Sequence, residues 1–179
     1  MGEAKQIDLR NIIENHPNFP KDGILFRDVN PVFRNHDALV YIADQFFSLF
    51  RKTKIDSIAG IESRGFVVAT ALALRFGTGM IMFRKAGKLP GMTVRKSYDI
   101  EYGSAVMELQ QDAVAKGQNV LVADDLVATG GTAVAASQLI EQVGGKVAGF
   151  AFVIELGGLK GADRLRELGY NVQSLVVYD

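Results

Sequence analysis

The sequence of 179 residues contains no cysteine, which excludes disulfide bonds, thiolate metal sites and cysteine nucleophiles. Neither sign of charge is in excess, because 20 lysine and arginine residues balance 20 aspartate and glutamate residues. A chain without net charge has no overall field that favours nucleic acid or an anionic membrane, so we expect neither as a partner. The sequence also lacks an apolar run long enough to span a bilayer and the apolar core of a signal peptide near residue 1. These absences predict a cytoplasmic protein.

The spacing of apolar residues predicts an α/β fold in a single domain that covers residues 1–179. Strands are expected at residues 57–61, 79–83, 120–123, 147–154 and 172–178. Helices are expected at residues 5–15, 37–52, 67–76, 131–143 and 159–168. Because strands and helices alternate, we predict a doubly wound, mainly parallel sheet flanked by helices.

Two segments depart from this alternation. About 35 residues at the start of the chain are interrupted by Pro17, Pro20 and Pro31, and we expect them to form a small hood over the sheet's carboxyl edge. Residues 86–102, AGKLPGMTVRKSYDIEY, contain two glycines and a proline and are typical of a long loop or hairpin. Long loops in compact domains are usually functional, so we predict a flexible lid at about residues 86–105.

The most informative stretch is VLVADDLVATGGTA at residues 120–133. Its apolar start predicts a buried parallel strand, whose carboxyl end places Asp124 and Asp125 in the crevice where open α/β sheets bind ligands. The turn that follows consists of small residues, namely Ala128, Thr129, Gly130, Gly131 and Thr132. Its N–H groups can converge on an anion at the positive end of the next helix. Carboxylates suit hydroxyl groups or a metal and the amides suit phosphate, so the stretch predicts a site for a phosphorylated sugar.

Two common nucleotide-binding motifs do not fit this stretch. No lysine follows the glycines, as a P-loop requires, and no GxGxxG follows the strand, as a dinucleotide fold requires. A glycine-rich turn alone often serves close packing, and two aspartates alone can be a solvated strand end. Their occurrence together, each suited to one part of the same ligand, favours a binding site.

The stretch resembles the 5-phosphoribosyl-1-pyrophosphate (PRPP) signature of the type I phosphoribosyltransferases. Four other segments are similar to the adenine phosphoribosyltransferase branch of that family, in the same order and spacing. They are FPKDGILFRDVNP at 19–31, AGIESRGF at 59–66, RKAGKLPG at 84–91 and SYDIEYG at 97–103. Glu62, Ile100 and Val127 stand where the family commonly has Asp, Leu and Leu, and none of these departures removes a group that the chemistry needs.

The resemblance implies transfer of a 5-phosphoribosyl group from PRPP to N9 of adenine, which gives AMP and pyrophosphate. It also implies a homodimer and Mg²⁺ as cofactor, bound mainly through oxygens of PRPP and pyrophosphate and not by a dedicated set of protein ligands. Residues 128–132 would hold the 5′-phosphate, and Asp124 and Asp125 would accept hydrogen bonds from the ribose hydroxyls. The carboxylates would also stabilise positive charge on the ribose as its bond to pyrophosphate breaks.

The remaining roles follow in the same way. Pyrophosphate needs cations, and the candidates are Arg64, Arg84, Lys85 and Lys88, which follow two neighbouring predicted strands. Phe26 would stack on adenine, and the backbone of Leu25 and Arg27 would read the edge of the base. In the lid, Glu101 is the expected general base, with Tyr102 beside it. The resemblance also predicts a non-proline cis peptide between Glu62 and Ser63.

Two further functions stay open from the residues alone. A phosphoribosyltransferase for xanthine, hypoxanthine or orotate would keep the PRPP site, and only the resemblance of GILFRDV argues against it. A regulator that binds PRPP without turnover would need a nucleic-acid-binding module or a strongly basic face. The zero net charge gives no support to such a regulator.

Overall fold

The computed structural model describes residues 6–100 and 103–179, which fold around a mixed sheet of seven strands. The strands of the chain are β1 (Glu14–Pro17), β2 (Leu25–Asp28), β3 (Ser57–Ile61), β4 (Gly79–Lys85), β5 (Thr93–Ile100), β6 (Gly103–Gln110), β7 (Asn119–Val127), β8 (Lys146–Leu156) and β9 (Val172–Tyr178). The helices are α1 (Asn30–Phe33), α2 (His36–Leu49), α3 (Gly65–Phe76), α4 (Gly131–Gln142) and α5 (Gly161–Glu167). The large sheet has the order β5-β6-β4-β3-β7-β8-β9, and β1 pairs with β2 in a separate antiparallel ribbon. The five strands from β4 to β9 in that order run parallel, which confirms the predicted fold class.

Helices cover both faces of this sheet, and β7 shows how its sequence fits between them. Leu121 and Ala123 pack in the core that contains α2 and α3, whereas Val120 and Val122 pack in the core that contains α4 and α5. All four side chains are fully buried. Because successive side chains of a strand point to opposite faces, a strand covered on both sides needs an unbroken apolar run. Among the described residues, no helix is long and apolar enough to cross a membrane.

The chain leaves β3 and β7 in opposite directions. From β3 it passes through α3 to β4 on one side, and from β7 it passes through α4 to β8 on the other side. Open α/β sheets bind ligands in the crevice that such a reversal creates at the carboxyl ends of the strands. Pairing between β3 and β7 ends at Gly60 and Ala123, while β7 goes on pairing with β8 as far as Val127. From Asp124 onwards this edge of β7, which we call its open edge, has no strand partner among the described residues.

This pairing corrects one prediction, because Asp124 and Asp125 lie within β7 and not after its end. The predicted strand stopped at residue 123, where the apolar run is interrupted, but the backbone pairs with β8 for four more residues. Backbone hydrogen bonds to a neighbouring strand do not depend on apolar side chains, so the change in composition did not mark the end of the strand.

One further prediction needs correction, and the structure decides between the two alternatives of another. The helix expected at residues 5–15 is wrong for its described part, because residues Leu9–Asn11 form one 3₁₀ turn and β1 follows. Asp8 caps that turn and β2 pairs with β1, so local capping and strand pairing override the helical spacing. For residues 86–102 the hairpin alternative holds, because β5 pairs antiparallel with β6 from Thr93 onwards. The long-loop alternative is wrong for that half of the segment.

We expect Leu121→Ala to lower the free energy of unfolding by about 2–5 kcal/mol, because it leaves a cavity in the fully buried central strand. Urea unfolding followed by circular dichroism measures the change. The matched control is Leu168→Ala, whose side chain is 56% exposed and which should change stability by less than about 0.5 kcal/mol. Equal losses in the two variants would contradict the two-layer packing around β7.

Candidate active site

Asp124 and Asp125 lie side by side at the open edge of β7. The Asp125 side chain is buried, and its backbone N–H donates to Asp124 Oδ1 at 2.9 Å. Burial raises the pKa of Asp124 well above its ordinary value, and the neighbouring charge of Asp125 raises it further. Two carboxyl groups held this close favour a ligand that brings hydroxyl donors or positive charge to them.

The turn from β3 to α3 packs directly on this pair. Arg64 Nε lies 2.7 Å from Asp125 Oδ2, which makes an ion pair. The contact does not have the geometry of a hydrogen bond, and the buried Oδ2 atom has no hydrogen-bond donor among the described residues. Gly65 permits the close approach, because a Cβ there would lie 2.7 Å from Asp124 Oδ1. The acid pair therefore keeps one buried acceptor for a further donor or cation.

The turn after β7 leads into α4 through small residues. Gly130 has a φ of 78°, and in the described structure no side chain caps the first turn of the helix. The N–H groups of Gly131 and Thr132 thus begin a helix without a side-chain acceptor, which is the arrangement that binds phosphate. A cavity of about 200 Å³ lies here, lined by residues that include Asp124, Thr129 and Thr132.

This turn is held from behind by Gly161, the first residue of α5. The Gly161 N–H donates to the Ala128 carbonyl at 2.9 Å. A Cβ on Gly161 would lie 2.5 Å from Gly130 N and would also overlap Ala128 O, so only glycine fits. The sequence predicts that Gly161 lies inside a helix and indicates no role for it in the site. A glycine within a helical pattern is unfavourable, and that was the signal for a close backbone contact.

A second cluster forms where β3 and β4 end, around the carboxylate of Glu62. Glu62 receives hydrogen bonds from Arg84 Nε at 3.0 Å, from the Lys85 backbone N–H at 2.8 Å and from Lys88 Nζ at 3.0 Å. Burial raises the pKa of Glu62, but these hydrogen bonds outweigh it and lower the pKa to about 2. Two of the four predicted cations, Arg84 and Lys88, thus lie together and share one carboxylate, whereas Arg64 pairs with Asp125. The Lys85 side chain itself is exposed.

The peptide bond between Glu62 and Ser63 is cis, which confirms that prediction. The sequence indicates Glu62 as a departure from the family pattern and as part of this cis peptide, but it does not predict the contacts of its carboxylate with the cations. In the sequence, a carboxylate follows one predicted strand and three cations follow the next, which suggests that they could pair. Whether they are close in space depends on the pairing of β3 with β4.

The hairpin of β5 and β6 brings Tyr98 to the same crevice. Burial raises the pKa of the Tyr98 phenol, a hydrogen bond with the Thr132 side chain lowers it, and the charges of Asp124 and Glu62 raise it. Tyr98 is partly buried and packs against the core that contains α4. Sequence reasoning missed Tyr98, because a loop gives no periodicity from which to infer which side chains face inward. Glu101 and Tyr102 lie outside the described residues.

The β1–β2 ribbon carries Leu25, Phe26 and Arg27. The Phe26 ring contacts the edge of Phe19, with the ring centres 5.1 Å apart, and the Arg64 guanidinium carbon lies 5.5 Å from the Phe26 centre. Phe26 therefore lies beside the crevice. Arg27 stacks on Tyr178 with its guanidinium carbon 3.9 Å from the ring centre. The pairing of β2 with β1 occupies one edge of β2.

A profile of the phosphoribosyl transferase domain family matches residues 29–177. An adenine phosphoribosyltransferase from Cenarchaeum symbiosum is 51% identical over 172 residues, which cover 96% of this chain and 100% of the relative. The chain belongs to the adenine phosphoribosyltransferases.

Two solved structures extend this result to the fold. The adenine phosphoribosyltransferase from Thermoanaerobacter pseudethanolicus is 40% identical, with a TM-score of 0.90 over 95% of this chain and 98% of that one. The Saccharomyces cerevisiae enzyme is 43% identical, with a TM-score of 0.86 over 93% of this chain and 96% of that one. That structure is a complex with adenine and D-2,5-dideoxy-2,5-imino-altritol 1,6-bisphosphate.

One group of side chains in the described ranges 6–100 and 103–179 can jointly hold a metal ion by distance alone. Oxygen and nitrogen atoms of Glu14, His16 and Asp28 lie within 4.8 Å of one another on the β1–β2 ribbon. The group is separate in sequence from the acids of β7, and two of its members are exposed. Asp125 Oδ2 differs from this group in being buried, and the Arg64 cation lies 2.7 Å from it.

We expect Gly161→Ala to weaken binding of a phosphorylated sugar at the turn by about tenfold or more, since displaced N–H groups lose charge-assisted hydrogen bonds. Titration calorimetry with ribose 5-phosphate measures the affinity. Gly158→Ala is the matched control, because its Cβ would meet only Asp179 C at 4.0 Å. Unchanged affinity in a folded Gly161→Ala protein would show that the turn does not bind the phosphate.

Proposed function

We propose that this protein transfers the 5-phosphoribosyl group of PRPP to N9 of adenine, with AMP and pyrophosphate as products, and so works in purine salvage. The observation that carries the proposal is the acid pair of β7 beside the uncapped start of α4, in the crevice between β3 and β7. Family membership and the relatives named adenine phosphoribosyltransferase support the choice of reaction.

In this proposal the ribose 5-phosphate half of PRPP occupies the end of β7. The backbone N–H groups of residues 128–132 and the hydroxyls of Thr129 and Thr132 bind the 5′-phosphate. Asp124 and Asp125 accept hydrogen bonds from the 2′- and 3′-hydroxyls. As the bond between C1′ and pyrophosphate breaks, positive charge develops on the ribose, and the fixed carboxylates stabilise it without having to reorganise.

Pyrophosphate then occupies the neighbouring cluster of cations, Arg64, Arg84, Lys85 and Lys88. Each of Arg64, Arg84 and Lys88 is paired with a carboxylate in the described structure. A multiply charged anion can share or replace those partners, because a cationic side chain offers more than one donor. The internal ion pairs thus keep the cations close to the positions where the leaving group develops charge.

Mg²⁺ suits this site by the chemistry of its donors. The buried Asp125 Oδ2 atom has no hydrogen-bond donor among the described residues, and a hard cation prefers such an oxygen together with phosphate oxygens and water. When bound with PRPP, the ion would neutralise part of the pyrophosphate charge. We propose that substrate oxygens provide most of its ligands.

Adenine would lie between the hood and the crevice, stacked on Phe26. Its N1 acceptor and N6 donor would meet the backbone of Leu25 and Arg27 at the edge of the ribbon. Hypoxanthine and guanine invert that donor and acceptor pattern, so the wrong base would leave buried polar groups unpaired. The stacking of Arg27 on Tyr178 supports this arrangement, because it ties the ribbon to the last strand of the sheet.

The lid would close over the reacting atoms and exclude water that could hydrolyse the activated ribose. Within it, Glu101 would take the proton from N9 as the new N9–C1′ bond forms, with Tyr102 beside it. The position of Tyr98 near Thr132 supports closure of this hairpin over the acid pair.

A homodimer and a cytoplasmic location are also part of the proposal. Apolar side chains are exposed on the neighbouring helices α2 and α3, including Leu49 and Leu74. Such side chains on adjacent helices support a subunit interface on that side of the sheet. By contrast, Phe46 and Phe50 of the same region are fully buried in the core.

Product analysis with PRPP and Mg²⁺ against single bases tests the reaction. We expect AMP from adenine and no product from hypoxanthine, guanine, xanthine or orotate, with activity lost when Mg²⁺ is chelated. Turnover of another base would keep the PRPP site but contradict the adenine assignment. Binding of PRPP without any turnover would favour the regulator.

We expect Glu101→Gln to lower kcat by about 10²–10⁴-fold with a smaller change in KM, because the amide cannot accept the N9 proton. Steady-state kinetics with adenine as the varied substrate measures both constants. Glu167→Gln, at an exposed position in α5, is the control and should keep full activity. Near-normal turnover of Glu101→Gln would remove Glu101 from the mechanism.

A further inference from the structure

Glu108 is a fully buried carboxylate that has no part in the reaction described above. It lies in β6, opposite Arg84 and Arg95 in the two neighbouring strands. A buried carboxylate is costly unless several donors satisfy it, so its position calls for a specific set of partners.

Those partners are in the segment that follows β4. Glu108 Oε1 accepts hydrogen bonds from the backbone N–H groups of Lys88 and Leu89, both at 2.8 Å. Its Oε2 atom lies 3.2 Å from Arg95 Nε and 3.4 Å from Thr93 Oγ1. Burial raises the pKa of Glu108, but the N–H groups of residues 87–89 and the charge of Arg95 outweigh it and lower the pKa, so the side chain is ionised at neutral pH.

Lys88 is consequently held at both ends. Its backbone lies outside the strands, and Glu108 accepts the hydrogen bond that a strand partner would otherwise accept. Its ammonium group lies 3.0 Å from Glu62 Oε1, in the cluster where we place pyrophosphate. A lysine side chain has four rotatable bonds, so a fixed backbone position sets which volume its ammonium group can reach.

We propose that Glu108 is a positioning residue that presents Lys88 to the pyrophosphate group of PRPP. The inference rests on the proposed role of Lys88 in binding pyrophosphate. Glu108 itself does not touch substrate. It acts by fixing the turn at Lys88 and Leu89, so that the lysine does not have to be ordered when PRPP binds.

Steady-state kinetics of Glu108→Gln, Lys88→Ala and the double variant test the inference. Glutamine keeps the size of the side chain, but its NH₂ group must face either the two backbone N–H groups or Arg95, so the turn loses part of its support. We expect the KM for PRPP to rise about tenfold in Glu108→Gln, with kcat and the KM for adenine changed by less than about twofold. In the Lys88→Ala background the same substitution should add less than about twofold, because both changes act through one side chain.

Asp56→Asn is the matched control. Asp56 also accepts a hydrogen bond from a backbone N–H, that of Asn119 at 2.8 Å. It precedes β3 and so lies at the amino end of that strand, whereas the site is at the carboxyl ends. It should leave the KM for PRPP unchanged. Glu108→Asp is the second variant, for use if Glu108→Gln does not fold. Its shorter side chain keeps the buried charge but moves it away from the turn, so the KM for PRPP should rise selectively here too.

The results separate the inference from the function on which it rests. Equal rises in the KM for PRPP and for adenine, or full additivity with Lys88→Ala, would overturn the positioning role of Glu108. A clear effect of Lys88→Ala with none from either Glu108 variant would overturn it as well. Absence of phosphoribosyl transfer in the unmodified protein would instead contradict the proposed function.

Discussion

The divergence of β3 from β7 after Gly60 and Ala123 is the constraint on which the rest of the structure depends. Because α3 and α4 leave these strands on opposite sides, none of the described strands covers the edge of β7 beyond that point. The acids of β7, Arg64 and the start of α4 all meet at this edge. Gly65 lies so close to Asp124 that a methyl group would not fit between them, and Gly161 supports the following turn in the same way. Close backbone packing thus sets the geometry of the site, and the side chains follow from it.

Three cations of the site are paired with carboxylates in the structure without ligand. Glu62 pairs with Arg84 and Lys88, and Asp125 pairs with Arg64. A cation that is already held by an ion pair has less conformational freedom to lose when the ligand binds. The entropic cost of binding is therefore lower than for a free side chain. Glu108 extends this pattern to the backbone, where a carboxylate satisfies N–H groups outside any strand. Acidic residues therefore organise a site whose expected ligand is itself an anion.

The structure confirms the predicted elements where a local sequence pattern is compatible with one conformation only. The strands at 57–61 and 172–178 have the predicted bounds, because apolar runs bounded by polar or turn residues leave little choice. The prediction failed at residues 5–15, where helical spacing was present but pairing with β2 decided the conformation. In the site, the acids and the small turn could be named from the sequence. The contacts of Glu62, Tyr98 and Gly161 could not, since each residue is far along the chain from the group that it contacts.

The sequence by itself determined the fold class, the family and the chemical types gathered in the site, because these depend on periodicity and on motifs of adjacent residues. The tertiary structure decided which charged side chains pair with each other. It also left the buried Asp125 Oδ2 atom without a hydrogen-bond donor among the described residues. It also decided that β7 continues to Val127 past the acids and that Lys88 is anchored through Glu108. These features arise from contacts between residues about 20 to 60 positions apart, and such contacts form only when the strands are placed side by side.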